Sequence, residues 1–177
     1  KEQTMKQRFY GISLLVTALA ALALSGPASA GQQAQAPVAR KQVSFKGTSS
    51  GVVTAVGFDP DAGIAYTHVA GEGQATNFGH FTVSAEVAVV VATGVPRGNW
   101  TLTADNGDKL FLAMGGHGID ATHGYGASTA VGGTGRFQGV TANYEEVITF
   151  AVPLGSAASI PFTDALDGTI SAPGSNK

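Results

Sequence analysis

The sequence predicts an all-β protein, either a sandwich or a barrel, and three observations carry that reading. Beyond residue 40 the chain is a succession of short alternating apolar and polar runs, about one every 8–12 residues. Glycine-rich turns separate these runs, and 25 of the 177 residues are Gly. No stretch after the N-terminal segment keeps the 3.6-residue period of an amphipathic helix for more than a turn or two. Charged residues make up only 12 % of the chain, with 10 basic against 12 acidic groups. That balance implies no basic surface for nucleic acid. The absence of Cys removes disulfides, thiolate nucleophiles and Cys-ligated metals from consideration.

Residues 1–30 read as a signal peptide. Lys6 and Arg8 form a basic start, 13 mostly apolar residues run from Ile12 to Leu24, and Ala28-Ser29-Ala30 offers a small–x–small cleavage site. A spanning helix needs about 20 apolar residues, so the segment is too short for an anchor. Met5 is the more ordinary start, with Lys1-Glu2-Gln3-Thr4 an upstream extension. Cleavage would leave a secreted or periplasmic chain beginning at Gly31, with no membrane anchor. Its 7 basic and 11 acidic residues give a net charge of −4. Residues 31–40 are small and polar and read as a flexible leader. Residues 41–177 are then one domain, large enough to bury a core without disulfides.

Within that domain a strand is expected over residues 64–70. The clearest strand is residues 81–91, where every odd position from Phe81 to Val91 is apolar. Its last part, residues 87–91, is apolar on both faces and would suit packing between copies. Residues 100–104 and 109–114 form a hairpin about Asn106-Gly107, the favoured pair for a type I′ turn. The second arm, from Leu110 to Met114, is apolar on both faces and is expected to be covered on both. Residues 115–126 read as a glycine-rich loop. Gly133-Thr134-Gly135 reads as a tight turn, with Arg136 folded over a barrel end and Phe137 plugging it. Tyr144, Glu146, Ile148, Phe150 and Val152 share one face of a strand that stops at Pro153. Residues 159–170 close the domain, with a turn expected at Asp167-Gly168.

Three segments in this order resemble a known family. Gly73-Gln74-Ala75-Thr76-Asn77-Phe78-Gly79-His80-Phe81-Thr82 is similar to a G-x-A-T-x-x-G-x-F-T signature. Residues 104–111 resemble its A-x-N-G-D-x-L-F hairpin, and residues 132–141 its G-G-T-G-R-F-x-G-x-T turn. Asp167-Gly168-Thr169-Ile170 matches the D-G-T-I ending. These marks, spread over residues 43–171, resemble those of small secreted bacterial proteins with barrels like allene oxide cyclase and the dirigent proteins. The resemblance implies a closed, antiparallel, calycin-type β-barrel of eight strands, with a β-sandwich as the alternative. Closure would also remove the exposed edges of so many charge-poor strands. The resemblance assigns no catalytic residue. The stretch over residues 115–126 departs from the family pattern.

Several groups could carry chemistry. His117, Asp120 and His123 have types and spacing that could ligate a divalent metal, or else they are polar turn residues. The pairs Asp59/Asp61 and Asp105/Asp108 could hold Ca²⁺, although Asp is equally a favoured turn former. Glu146 lies on an apolar face, where its pKa would rise and fit it for general acid or base work with Tyr144 or His68. The alternative is a strand-end carboxylate that reaches water or pairs with Arg136. His68 shares a face with Tyr66, and His80 heads its strand and is expected to be exposed. No cofactor is expected. The lumen is expected to be lined by Phe81, Val83, Val87, Trp100, Leu102, Leu112, Tyr144, Glu146, Ile148 and Phe150. The sequence therefore predicts a barrel that binds a small hydrophobic molecule or acts as a structural, self-associating (homo-oligomeric) module. An isomerase or cyclase acting on an unsaturated fatty-acid-derived or phenolic substrate is the alternative.

Overall fold

The computed structural model describes residues 40–173. The expected signal peptide and all but the last residue of the leader lie outside the described residues. Eight strands follow one another: β1 (Gln42–Asp59), β2 (Ile64–Ala75), β3 (Gly79–Val90), β4 (Val95–Ala104), β5 (Lys109–Gly118), β6 (His123–Gly133), β7 (Ala142–Phe150) and β8 (Ser159–Ser171). Each pairs antiparallel with the next, and β8 returns to β1, so the sheet is a closed barrel. The closing seam runs from Gln42 opposite Ser171 to Thr54 opposite Ser159. Closure rules out the sandwich. Among the described residues no helix is long and apolar enough to cross a membrane.

Alternation decides what the barrel encloses. On β3, Phe81, Val83, Ala85 and Val87 are buried while Thr82, Ser84 and Glu86 are exposed. On β8, Ile160, Phe162, Asp164, Leu166, Gly168 and Ile170 point inward and the residues between them outward. One end of the barrel is plugged by aromatic rings. Phe137, in a short 3₁₀ turn (Gly135–Phe137), stacks on Phe78 with ring centres 4.3 Å apart. Phe78 in turn meets Phe45 and Phe81 edge to face. Arg136 lies across the plug, its carbon Cζ 4.7 Å from the Phe137 ring centre, and donates from Nη2 to the Phe78 carbonyl. The expectation for Arg136 and Phe137 is met.

Four local readings need correction. Asp167-Gly168 is no turn, because β8 runs straight through it. Gly168 points inward between Phe45 of β1 and Tyr144 of β7, whose rings meet at 5.0 Å. A Cβ there would lie 2.5 Å from the Tyr144 Cα, so glycine makes room for the two rings rather than bending the chain. The Asn106-Gly107 turn is not type I′, since only Gly107 has a positive φ, of 85°. Gly107 N–H donates to the Ala104 carbonyl and Ala104 N–H to that of Asp108, a three-residue loop ending in a left-handed glycine. Residues 115–126 are not a loop, because β5 and β6 extend through them and leave only residues 119–122 to turn. Finally, Leu110, Leu112 and Met114 are buried, but outward-facing Ala113 is exposed and Phe111 only half-buried. Val90 and Val91, at the end of the residue 87–91 run, are exposed.

Candidate functional site

The end of the barrel opposite the aromatic plug carries a cavity of about 100 Å³. It is reached between the turns after β1, β3, β5 and β7, the natural mouth of an antiparallel barrel. Its wall is almost wholly apolar: Val87 and Val89 of β3, Trp100 of β4, Met114 of β5, Ile148 and Phe150 of β7, and Phe162 of β8. Leu154, in the turn between β7 and β8, reaches the same space and is half exposed. Trp100 is buried, yet its Nε1 has no hydrogen-bond partner.

All ten residues expected in the lumen face inward, nine buried and Ile148 half-buried. They do not form one surface. Val87, Trp100, Ile148 and Phe150 line the cavity, whereas Phe81, Val83, Leu102, Leu112 and Tyr144 fill the barrel beneath it.

Glu146 occupies the layer between. It sits one inward position deeper than Ile148 on β7, is 1 % exposed, and neither carboxyl oxygen has a hydrogen-bond partner. Burial, and then the neighbouring Asp164, push its pKa up to about 8. The expected pairing with Arg136 does not exist, since that guanidinium lies across the plug at the other end. Asp164, one inward position deeper than Phe162 on β8, accepts the Ser49 backbone N–H at 2.8 Å. Burial raises its pKa as well, against the opposing bonds from Ser49. Burial and the adjacent Glu146 also raise the Tyr144 hydroxyl well above its ordinary value. Asp164 was absent from the expected site. Its signal was available, an acid in the apolar alternation of Ile160, Phe162 and Leu166, like that of Glu146.

The remaining candidates lie outside the barrel wall, except that His117 reaches the rim of the cavity. His68 and Tyr66 project from the outer face of β2, where His68 Nε2 approaches Ser84 Oγ at 3.4 Å and Glu86 at 3.8 Å. A lumenal role for His68 is therefore corrected. Asp120 and His123 pair at 2.8 Å across the β5–β6 turn, but His117 rests on the Tyr125 ring instead. Among the described residues no three His, Asp or Glu side chains are placed to hold a metal. The Thr122 backbone N–H, followed by His123, holds the Asp120 carboxyl down to about 2. Asp59 accepts the backbone N–H groups of Asp61 and Ala62, as turn aspartates do. Asp105 bonds His80 Nδ1 at 2.6 Å, and Asp108 accepts the Arg136 N–H. His80 is exposed as expected, with its pKa raised chiefly by Asp105.

A closed eight-stranded barrel with an apolar mouth and a plugged base defines a dirigent-like fold. The pterocarpan synthase dirigent protein GePTS1 is similar in structure, with a TM-score of 0.54 at 9 % identity over 78 % of this chain and 89 % of that one. At that identity the likeness is one of fold. No protein-family model and no curated protein sequence matches the chain.

Proposed function

We propose that this chain binds a small hydrophobic molecule in the mouth of its barrel. The observation that carries the reading is the cavity itself, apolar on nearly every side and open at one end. About 100 Å³ accommodates a single ring, so larger ligands would project past Leu154 into the mouth. Trp100, the one tryptophan of the chain, lines the cavity and reports on its contents. Titration with benzyl alcohol is expected to change its fluorescence saturably, and Gly124→Leu, which fills the wall, is expected to abolish the change. A linear, unsaturable response in the unsubstituted protein would sink the proposal.

A second reading, an isomerase or cyclase, is favoured by one observation. Glu146 is a buried carboxyl that keeps its proton near neutral pH, as a general acid under an apolar pocket requires. Turnover of an unsaturated fatty epoxide that Glu146→Gln abolishes would support it, and equal turnover by both forms would remove Glu146. The dirigent-like neighbour supports ligand binding in general and does not choose between these readings. Export through the N-terminal segment belongs to the same proposal. N-terminal sequencing of the exported chain is expected to start at Gly31.

A further inference from the structure

Four glycines face the lumen where β5 and β6 approach the mouth. Gly116 lies opposite Gly126 and Gly118 opposite Gly124, so this side of the barrel carries no side chains over two layers. Glycine inside a strand costs about 0.5–1 kcal/mol each relative to alanine, which calls for a reason. Gly116 is required by the Tyr125 carbonyl, which a Cβ would strike. Gly118 and Gly124 are not so required. Neither has a positive φ, a Cβ at Gly118 would meet nothing within 4 Å, and one at Gly124 would touch only the Phe150 ring edge at 3.6 Å and the His117 carbonyl at 3.9 Å. Both line the cavity. Gly126, one step deeper, is covered by the Glu146 side chain, whose Cγ and Cδ would lie 2.8 and 3.0 Å from a Cβ there. The bare wall is thus a slot that begins in the cavity at Gly118 and Gly124 and points toward the unpartnered carboxyl of Glu146, which covers Gly126 one layer below the cavity lining.

The charge in that slot is one-sided. Glu146 and Asp164 occupy the same buried layer, and among the described residues no Lys, Arg or His faces them from any strand. Tyr144 is the other titratable group near them. A buried acid with two free oxygens and no protein donor is matched by a donor that enters with the ligand. From the slot and its charge we infer that the ligand is a small hydrocarbon-bodied amine, its ring in the Trp100–Phe150–Phe162 cavity and its ammonium against Glu146. This rests on the binding proposed above and names its chemical class. A neutral hydroxyl could use one Glu146 oxygen, but only a cation offsets the carboxylate charge that burial otherwise disfavours at Glu146, and Trp100 adds its ring face.

Ammonium binding converts the Glu146 carboxyl to carboxylate, so one proton leaves for each amine bound near pH 7, while a neutral alcohol releases none. The test compares benzylamine with benzyl alcohol, nearly equal in shape, by Trp100 fluorescence and by calorimetry in buffers of different ionisation enthalpy. At pH 8 benzylamine is expected to bind at least tenfold more tightly than the alcohol. Its affinity should rise at least tenfold from pH 6 to pH 8, with about one proton released at pH 7. Glu146→Gln is expected to bring the two probes level. Benzyl alcohol binding as tightly as benzylamine, or no proton release, would overturn the amine inference and leave the apolar cavity standing. A response to neither probe would overturn both.

Discussion

At the scale of single residues, Glu146 governs how stability follows pH. Its carboxyl holds a proton up to about pH 8 in the folded chain against an ordinary value of 4.5. Between those values the folded state binds a proton that the unfolded state has lost, so unfolding is favoured as pH rises. The slope approaches about 1.4 kcal/mol per pH unit and ends above pH 8, where both states are ionised. Asp164, whose pKa is also raised, acts in the same direction. So does His80, whose imidazolium is held by Asp105 and loses that support as pH rises. Asp120 acts oppositely, but its low pKa confines its effect to acid below about pH 4. Urea unfolding is therefore expected to show a barrel weaker at pH 8 than at pH 5.5, and Glu146→Gln is expected to flatten most of that difference. Equal stability at the two pH values would place Glu146 in contact with water. The alternation of Tyr144, Glu146, Ile148 and Phe150 made this carboxyl legible in the sequence. Its lack of a partner was not, because that depends on what β6 and β8 bring across the lumen.

Among the strands, the lesson is what a glycine means. Gly107, Gly124 and Gly168 look alike in sequence, as punctuation between apolar runs. In the barrel Gly107 ends a turn in the left-handed region, Gly168 lets Phe45 and Tyr144 meet, and Gly124 leaves a wall open. Strand order and inward faces were readable because alternation is a local property. The β5–β6 glycines and Gly168 were misread because their reasons lie on neighbouring strands. His68 was misassigned for a related cause, since a period of two tells which residues share a face and not which face is inside. These roles separate under substitution. Gly168→Ala drives a methyl into the Tyr144 and Asn143 backbone and is expected to cost more than about 2 kcal/mol in urea unfolding. Gly118→Ala meets open space and is expected to be neutral or slightly stabilising, as alanine restricts the unfolded chain. A similar loss at both positions would mean that the slot is packed rather than open.

Over the whole molecule, closure divides the work between two ends. Seven of the eight strand pairings join neighbours in sequence, while the β1–β8 seam joins residues more than a hundred positions apart. The plug bears on that seam, because Phe45 of β1 packs against Phe78, and Phe78 carries Phe137 and the Arg136 side chain. Arg136 reaches three elements at once: Nη2 to the Phe78 carbonyl, its backbone N–H to Asp108, and its guanidinium over two rings. Removing that side chain loses a charge-assisted hydrogen bond and the cover over two aromatic faces, together about 2–3 kcal/mol. The cavity lies at the opposite mouth, with the Glu146–Asp164 layer and the Leu102–Leu112 layer between. Effects at well-separated sites that share no partner are close to additive. Arg136→Ala is accordingly expected to lower the urea midpoint clearly while leaving the Trp100 response to benzyl alcohol within about twofold of the unsubstituted protein. A matching loss of ligand response would show that plug and mouth form one cooperative unit, with the barrel opening along its seam when a ligand enters.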